Sequence, residues 1–484
     1  MPGLGASFGR GGATNTQQDL ANSDCIVIEG SNMAECHPVG FQWVTEAKAR
    51  GAKVIHIDPR FTRTSAVADL HVPLRAGSDI VFLGGLINHV LSNDLYFKEY
   101  VVAYTNAPNL VREDFRDTED LDGLFSGFNP ESRQYDQASW QYEPDTSGGD
   151  GIAEEDPAAA AEQERLSQTE AVKDAKQADA AGSGGPPLRN KGKRDETLQH
   201  PRSVFQVLKR HFARYTPQMV SDVCGIEPEV FAKVAGWVTA NSGRERTTAW
   251  VYSVGWTQHT VGAQYIRTAS ILQALLGNMG RPGGGIMALR GHASIQGSTD
   301  IPTLFNLLPG YLPMPHAHQH TTLDDYCADA AGTGGFWGNK RSYMVSLLKA
   351  WWGDAATPEN DFCFDYLPKI DGDHSSYRTI AEMVGGKVPG YFLVGENPAV
   401  GHPNARMNRL GLANLEWLVV RDLQEIESAS FWYDAPEIET GELVTEQIAT
   451  EVFLMPAASH VEKEGTFTQT QRMLQWRDKA VDPP

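Results

Sequence analysis

The chain has 484 residues, 41% of them hydrophobic and 9% aromatic, which is enough for more than one core and excludes disorder throughout. Its net charge of −20, from 41 basic and 61 acidic residues, argues against nucleic acid or an anionic membrane as a partner. The five cysteines (Cys25, Cys36, Cys224, Cys327, Cys363) form no CxxC pair, which excludes a zinc ribbon, a four-cysteine iron–sulfur run and a disulfide framework within these residues.

The first residues, Met1 to Arg10, lack the charged and apolar regions of an export signal, and no run is apolar enough for direct membrane insertion. A Gly-rich start and an end at Pro484 that closes no element lead us to expect the interior of a longer polypeptide. Cys25-Ile-Val-Ile-Glu29 reads as a strand ending in Gly30-Ser-Asn32, followed by a helix from about Val39 to Arg50 that Gly51 stops. Lys53-Val-Ile-His-Ile57 is the next strand, ending at Asp58-Pro59-Arg60. A third, Leu70-His-Val-Pro-Leu74, precedes Gly77-Ser78-Asp79, where Asp79 is expected to cap a helix. This alternation implies an α/β fold with a doubly wound parallel sheet.

Residues 144–195 contain no aromatic residue and only Ile152, Leu166, Val172 and Leu188 as large aliphatics. Acidic residues dominate the segment, and Gly182-Ser-Gly-Gly-Pro-Pro closes it, so a disordered acidic insertion is expected. The expected domains are a first α/β lobe over 1–143, the insertion over 144–195, the continuation of the first lobe with the active-site segment over 196–310, and a second α/β lobe over 311–484.

The second lobe announces itself by an internal echo. Gly30-Ser-Asn-Met-Ala-Glu-Cys-His-Pro38 matches Gly395-Glu-Asn-Pro-Ala-Val-Gly-His-Pro403 in glycine, Asn, Ala, His and Pro at the same five offsets. Each copy follows an apolar strand, and Leu418-Val-Val-Arg-Asp422 repeats the strand-then-Asp pattern of Ile55-His-Ile-Asp58. A glycine loop leaving a parallel strand offers free N–H groups and a helix dipole suited to phosphate. Asn32 and Asn397 can bridge phosphate or a base edge, and Asp58 and Asp422 sit where an acidic residue takes a ribose diol or the edge of guanine. Turn glycines and capping aspartates would account for one such loop; two matching loops favour nucleotide binding.

Between the lobes, the strand-like Thr248-Ala-Trp-Val-Tyr-Ser253 leads to Gly255-Trp-Thr-Gln-His259 and an apolar helix over Ile266 to Leu276. Then come a glycine cluster and Ala288-Leu-Arg290-Gly-His-Ala-Ser-Ile-Gln296-Gly297. Arg290, flanked by a glycine, can hold a carboxylate bidentately or serve as a structural ion-pair partner. His316-Ala-His-Gln-His320 reads as an exposed loop, Phe336-Trp337 and Trp351-Trp352 as packing aromatics, and Cys25 and Cys36 as buried small hydrophobes.

Together these runs resemble the large subunit of respiratory formate dehydrogenases, in the molybdopterin oxidoreductase (dimethyl-sulfoxide-reductase) family. The resemblance rests on residues 30–41, His56-Ile-Asp-Pro-Arg-Phe-Thr-Arg-Thr64, Gly255-Trp-Thr-Gln-His259, Ala288-Leu-Arg-Gly-His292 with Ile295-Gln-Gly297, and Gly395-Glu-Asn-Pro398. It implies a molybdenum or tungsten ion held by bis-molybdopterin guanine dinucleotide, one nucleotide end per lobe. It places Asn32, His37, Asp58, Arg60, Gly77, Ser78 and Asp79 on one dinucleotide and Gly395, Asn397 and Asp422 on the other. Thr257, Gln258 and Gln296 would lie nearer the pterins, and Arg290 would orient the carboxylate of formate as it is oxidised to carbon dioxide. No residue of this chain is expected as a metal ligand.

The resemblance also implies an iron–sulfur beta subunit, a membrane cytochrome gamma subunit and a location on the periplasmic or extracytoplasmic face of the membrane. The family's selenocysteine or cysteine ligand and the catalytic His after it lie shortly before the segment matching Gly3 to Asn15, so neither is in this chain. Nor are the N-terminal domain that carries a [4Fe-4S] cluster, the export signal or the C-terminal barrel-like domain. The expectation is a central fragment, from a reading frame restarted at an internal Met after a selenocysteine codon and ended separately downstream, inactive by itself. A non-catalytic cofactor-binding scaffold is the alternative, and the presence of Arg290 beside Gln296 favours the enzyme.

Overall fold

Short runs rich in Val and Ile form five parallel strands in the amino-terminal part of the chain: β1 (Cys25–Glu29), β2 (Lys53–Ile57), β3 (Leu70–Val72), β4 (Thr248–Tyr252) and β5 (Gly285–Ala288). The structure is a computed structural model that describes residues 2–8, 13–144, 192–292, 294–328, 338–469, 471 and 473–483. The strand order is β3-β2-β1-β4-β5, with Cys25 level with both Lys53 and Thr248. The winding runs outward from β1 to β3, then returns to build β4 and β5 on the other side. The reversal lies between β1 and β4, the place where open α/β sheets bind ligands.

All five residues of β1 are buried, because helices cover both faces. Val27, Ile55, Ile57 and Trp250 pack with Phe82, Leu83 and Leu86 of α2 (Asp79–Ser92) and Leu272 of α3 (Gly262–Leu275). The alternate residues Ile26, Ile28, Val54 and Val251 pack with Phe41, Val44 and Ala47 of α1 (Pro38–Ala49). Each such side chain contributes about 1.5–3 kcal/mol by leaving water. Asp79 is the first residue of α2 rather than its cap, and its carboxyl is turned into the core.

The chain divides into two compact units, the first comprising Met1–Gly297 with Ala331–Asn339 and Thr468–Met473. The second comprises Ser298–Ala330, Lys340–Phe467 and Leu474–Pro484. It contains β6 (Gly390–Val394), β7 (Trp417–Asp422) and β8 (Glu451–Pro456), all parallel in the order β6-β7-β8. These strands repeat the β1-β2-β3 half of the first sheet and wind in one direction only. Leu393, Leu418 and Val420 are buried against Ile380, Met383, Leu412 and Phe431, whereas Phe392, Val394 and Phe453 are exposed.

Most of the acidic insertion, residues 145–191, lies outside the described residues. Its flanks are well anchored: Pro144 bridges Gly192 in antiparallel fashion, and Lys193 N–H donates to Glu143 O at 2.8 Å. Asp195 then accepts N–H bonds from Thr197, Gln199 and His200, so residues 192–195 are integral to the fold. Because residues 144 and 192 are already neighbours, replacing 145–191 by a short Gly-Ser turn should not destabilise the fold, the lower closure entropy of the shorter connection contributing up to about 2 kcal/mol. Urea denaturation of the two chains measures this directly.

Candidate functional site: two matched strand-end loops and an arginine pocket

The sequence echo is a geometric one. Gly30 and Gly395 both adopt left-handed backbone, with φ of +62° and +67°. The N–H of Gly30 donates to Ile57 O at 3.0 Å, and that of Gly395 to the equivalent Arg421 O at 3.1 Å. Two residues on, Asn32 Oδ1 accepts from the Thr64 hydroxyl (3.1 Å) and Asn397 Oδ1 from the Ser428 hydroxyl (2.8 Å). The same hydroxyls accept from the backbone N–H of Ala34 (3.0 Å) and Ala399 (3.1 Å). Thr64 and Ser428 stand equally far beyond Asp58 and Asp422, a repeat that the sequence reading missed because the two residue types differ. In both lobes the asparagine oxygen fixes the loop. Asn32 Nδ2 also bonds Glu35, and Asn397 Nδ2 bonds Glu427.

Asp58, one residue beyond β2, and Asp422, the last residue of β7, are half-buried, each carboxylate accepting from a nearby backbone N–H: Arg60 at 2.9 Å and Leu423 at 2.7 Å. The Arg60 side chain is exposed. In the second unit, Arg409 pairs bidentately with Glu437 and donates to Ala399 O at 2.6 Å, pinning the loop from beneath.

In the first unit three loops converge at the reversal of winding. Gly255 N–H donates to Gly30 O at 3.1 Å, and a Cβ on Gly255 would meet Gly30 Cα at 2.5 Å, so only glycine allows the approach. Thr257 and Gln258 are exposed at the tip of the loop that follows β4. Gly77 is exposed with φ of +86°, Ser78 is buried with its hydroxyl donating to Arg75 O, and Asp79 accepts from the Trp256 indole at 3.1 Å. Ser31, next to Gly30, keeps a buried hydroxyl oxygen without a hydrogen-bond partner.

Arg290 follows β5 and lines a cavity of about 290 Å³ with Gln17, Cys36, His37, Gly291, His292 and Gln469. His37 donates from Nε2 to Arg290 O at 3.0 Å, which fixes its tautomer and leaves a buried Nδ1. Burial pushes the Tyr252 phenol up to about 12, with the Arg290 guanidinium pulling the other way. Gln296 is buried a turn further on, outside this lining. The sequence reading singled out Arg290 and His37, with His292 two residues beyond Arg290, but not Gln17 or Gln469, which only the folded chain brings to them. The largest cavity described, about 900 Å³ and lined by Leu4, Phe97, Tyr100 and Met279 among others, contains none of the candidate residues.

Cys25 is buried as expected, and desolvation raises its thiol to about 12. Cys36 is exposed at the rim of the Arg290 cavity, contrary to the sequence expectation, because it ends a helical turn that points outward. Of the histidine tract, His316 Nδ1 and His320 Nδ1 accept backbone N–H bonds, and no cluster able to hold a metal occurs among the described residues. Trp351 is largely exposed and meets Trp352 edge to face, while Phe336-Trp337 lies outside the described residues.

The molybdopterin oxidoreductase family profile matches residues 4–431, and the chain belongs to that family. It is 43% identical over 488 residues to formate dehydrogenase 2 subunit alpha (cytochrome c-553) of Nitratidesulfovibrio vulgaris, covering 99% of this chain and 43% of that one. The formate dehydrogenase-O major subunit of Escherichia coli is 41% identical over the same 99% of this chain and 43% of its own. The chain thus spans less than half the length of these relatives. Its fold is similar to that of acetylene hydratase from Pelobacter acetylenicus, with a TM-score of 0.50 and 15% identity over 100% of this chain and 47% of that one.

The family cofactor is a molybdopterin carrying molybdenum or tungsten, and the residues present suit its phosphate-bearing part. The unpartnered Ser31 hydroxyl, the side-chain-free approach of Gly30 and Gly255, and the exposed Thr257 and Gln258 are the donor set a phosphate-bearing ligand needs. If the two hydroxyls hold the loops, Thr64→Val and Ser428→Ala should each cost about 1–2 kcal/mol in urea unfolding, by stranding an alanine N–H.

Proposed function

We propose that these lobes serve a formate dehydrogenase catalytic subunit and carry its bis-molybdopterin guanine dinucleotide, one nucleotide end per lobe. The observation that carries this reading is the pair of geometrically matched strand-end loops, in a chain 43% identical to a formate dehydrogenase alpha subunit. The loops at 30–32 and 77–79, with Asp58, receive the first dinucleotide, and Thr257 and Gln258 lie nearer the pterins. Gly395, Asn397 and Asp422 receive the second.

Oxidation of formate releases carbon dioxide, one proton and two electrons, and the metal–pterin group when bound supplies the two-electron redox chemistry. Arg290 presents a planar, permanently charged fork to the formate carboxylate. His37 holds the Arg290 backbone in place through Nε2, and His292 and Gln469 complete the polar wall of the cavity. Glycine at 291 leaves the approach to the guanidinium without steric cover. The partners that fit this role are an iron–sulfur beta subunit and a membrane cytochrome gamma subunit. A [4Fe-4S] cluster belongs to a part of the subunit outside these residues, and the enzyme belongs on the periplasmic or extracytoplasmic face of the membrane.

Two measurements test the reading. In the complete subunit, Arg290→Ala should lower formate turnover about 10²–10³-fold, a loss of roughly 2.7–4 kcal/mol of transition-state stabilisation, and near-wild-type turnover would sink the assignment. Calorimetric titration of the chain with guanosine diphosphate should find two sites, with Asp58→Ala and Asp422→Ala each removing one. Absence of both sites would leave the nucleotide reading without support.

A further inference from the structure

Beneath the three converging loops of the first unit lie two carboxyl groups that the reading above does not use as such. Glu29 ends β1 and is fully buried; Asp79 begins α2 and is 5% exposed. The two are within hydrogen-bonding reach of each other. Each accepts one indole N–H: Trp250 Nε1 to Glu29 Oε2 at 3.0 Å, and Trp256 Nε1 to Asp79 Oδ1 at 3.1 Å. The second oxygen of Glu29, Oε1, is buried with no donor.

The surroundings offer little to neutralise two negative charges. Tyr265 spends its hydroxyl on Gly77 O at 2.9 Å, and the Cys224 thiol points to Ser78 O at 3.5 Å. His259 contributes some favourable charge to Asp79, and Arg75 sits beyond Cys224 with its guanidinium on the carbonyls of Asp222 and Val223. Two ionised carboxylates so close, out of water and with no cation between them, repel far more strongly than two indoles can offset. A proton between them removes one charge and gives Oε1 its missing role.

We propose that Glu29 and Asp79 share one proton at neutral pH and that this proton is a positioning device, tying the loops after β1, β3 and β4 into one crevice floor. Glu29 directly precedes Gly30, Asp79 closes the turn of Gly77 and Ser78, and Trp256 lies in the turn Val254–Thr257. Desolvation pushes the Glu29 carboxyl well above its ordinary range and raises Asp79 too, so the pair titrates as a unit, with Glu29 as the donor. The consequence for ligand binding rests on the dinucleotide reading; the shared proton itself does not.

The sign of the pH dependence follows from linkage. The folded state holds a proton that the unfolded chain releases near the ordinary glutamate value of 4.5, so stability falls as pH rises from there through the raised value. Glu29→Gln keeps a donor toward Asp79 but cannot ionise. Between pH 4.5 and about pH 8, where the raised Cys224 and Tyr265 stay protonated in both chains, the melting temperature of the native chain should fall more steeply than that of Glu29→Gln.

Infrared spectroscopy at neutral pH should show the carbonyl stretch of a buried carboxylic acid that Glu29→Gln lacks. Parallel melting profiles with no such band would overturn the shared proton. Guanosine diphosphate should bind the native chain roughly tenfold more weakly at alkaline than at neutral pH, and Glu29→Gln with unchanged affinity. A pH-independent affinity in the native chain, with the band present, would overturn the positioning role. No binding at any pH would refute the nucleotide reading instead, and the band and the melting profiles would still decide the proton.

Discussion

The backbones of Gly30 and Gly255 touch where the sheet changes its direction of winding, and the first unit is organised about that contact. Neighbouring parallel strands β1 and β4 bring their carboxyl ends level, so the loops that leave them must diverge from the same point. A Cβ on Gly30 would stand 3.0 Å from the Gly255 backbone, and one on Gly255 closer still, so two side chains there would force the strands apart. The absence of side chains at this point opens the crevice, and the left-handed turn at Gly30 sends the chain back into α1 on one face of the sheet. The polar groups of residues 31–32 and 257–258 are then displayed around a common centre.

The second unit reproduces the same turn without the reversal. Its glycine N–H, asparagine oxygen and alanine N–H repeat the bonds of their counterparts, and Ser428 does for Asn397 and Ala399 what Thr64 does for Asn32 and Ala34. What repeats is therefore a set of donors and acceptors rather than residue identities. A hydroxyl on the next connection serves both loops because the task is to satisfy an alanine N–H and hold an amide oxygen, and either Ser or Thr can do that. The supports beneath differ: a buried arginine–glutamate pair in the second unit, a cation-poor pair of carboxyls and two indoles in the first.

Electrostatic character varies sharply over short distances. The chain carries a net charge of −20, yet the Arg290 cavity presents a guanidinium, two histidines and two amides and, among the described residues, no carboxylate in its lining. An anionic carboxylate substrate would find its complement there, while the negative surface elsewhere disfavours polyanions. The cavity walls come from four separated stretches, one of them residue 469, whose backbone N–H is held by Met473 O.

The sequence alone determined the strands β1 to β3 and their loops, because strand and helix periods and the punctuation by Gly30, Gly51 and Gly77 are local properties. It also disclosed the duplication, since a glycine, an asparagine and a following aspartate keep their spacing along the chain. The match to the molybdopterin oxidoreductases was legible for the same reason, carried by short contiguous runs. Tertiary structure decided what depends on proximity across hundreds of residues. The meeting of Glu29 with Asp79 and Trp250, of His37 with Arg290, and of Gly30 with Gly255 leaves no spacing signature, because each partner lies on a different strand or loop. The exposure of Cys36 was equally hidden, since orientation at the end of one helical turn is set by what packs around it. Local pattern specifies which backbone turns form, and only the packing of one turn against another decides which polar groups lose water and must answer to each other.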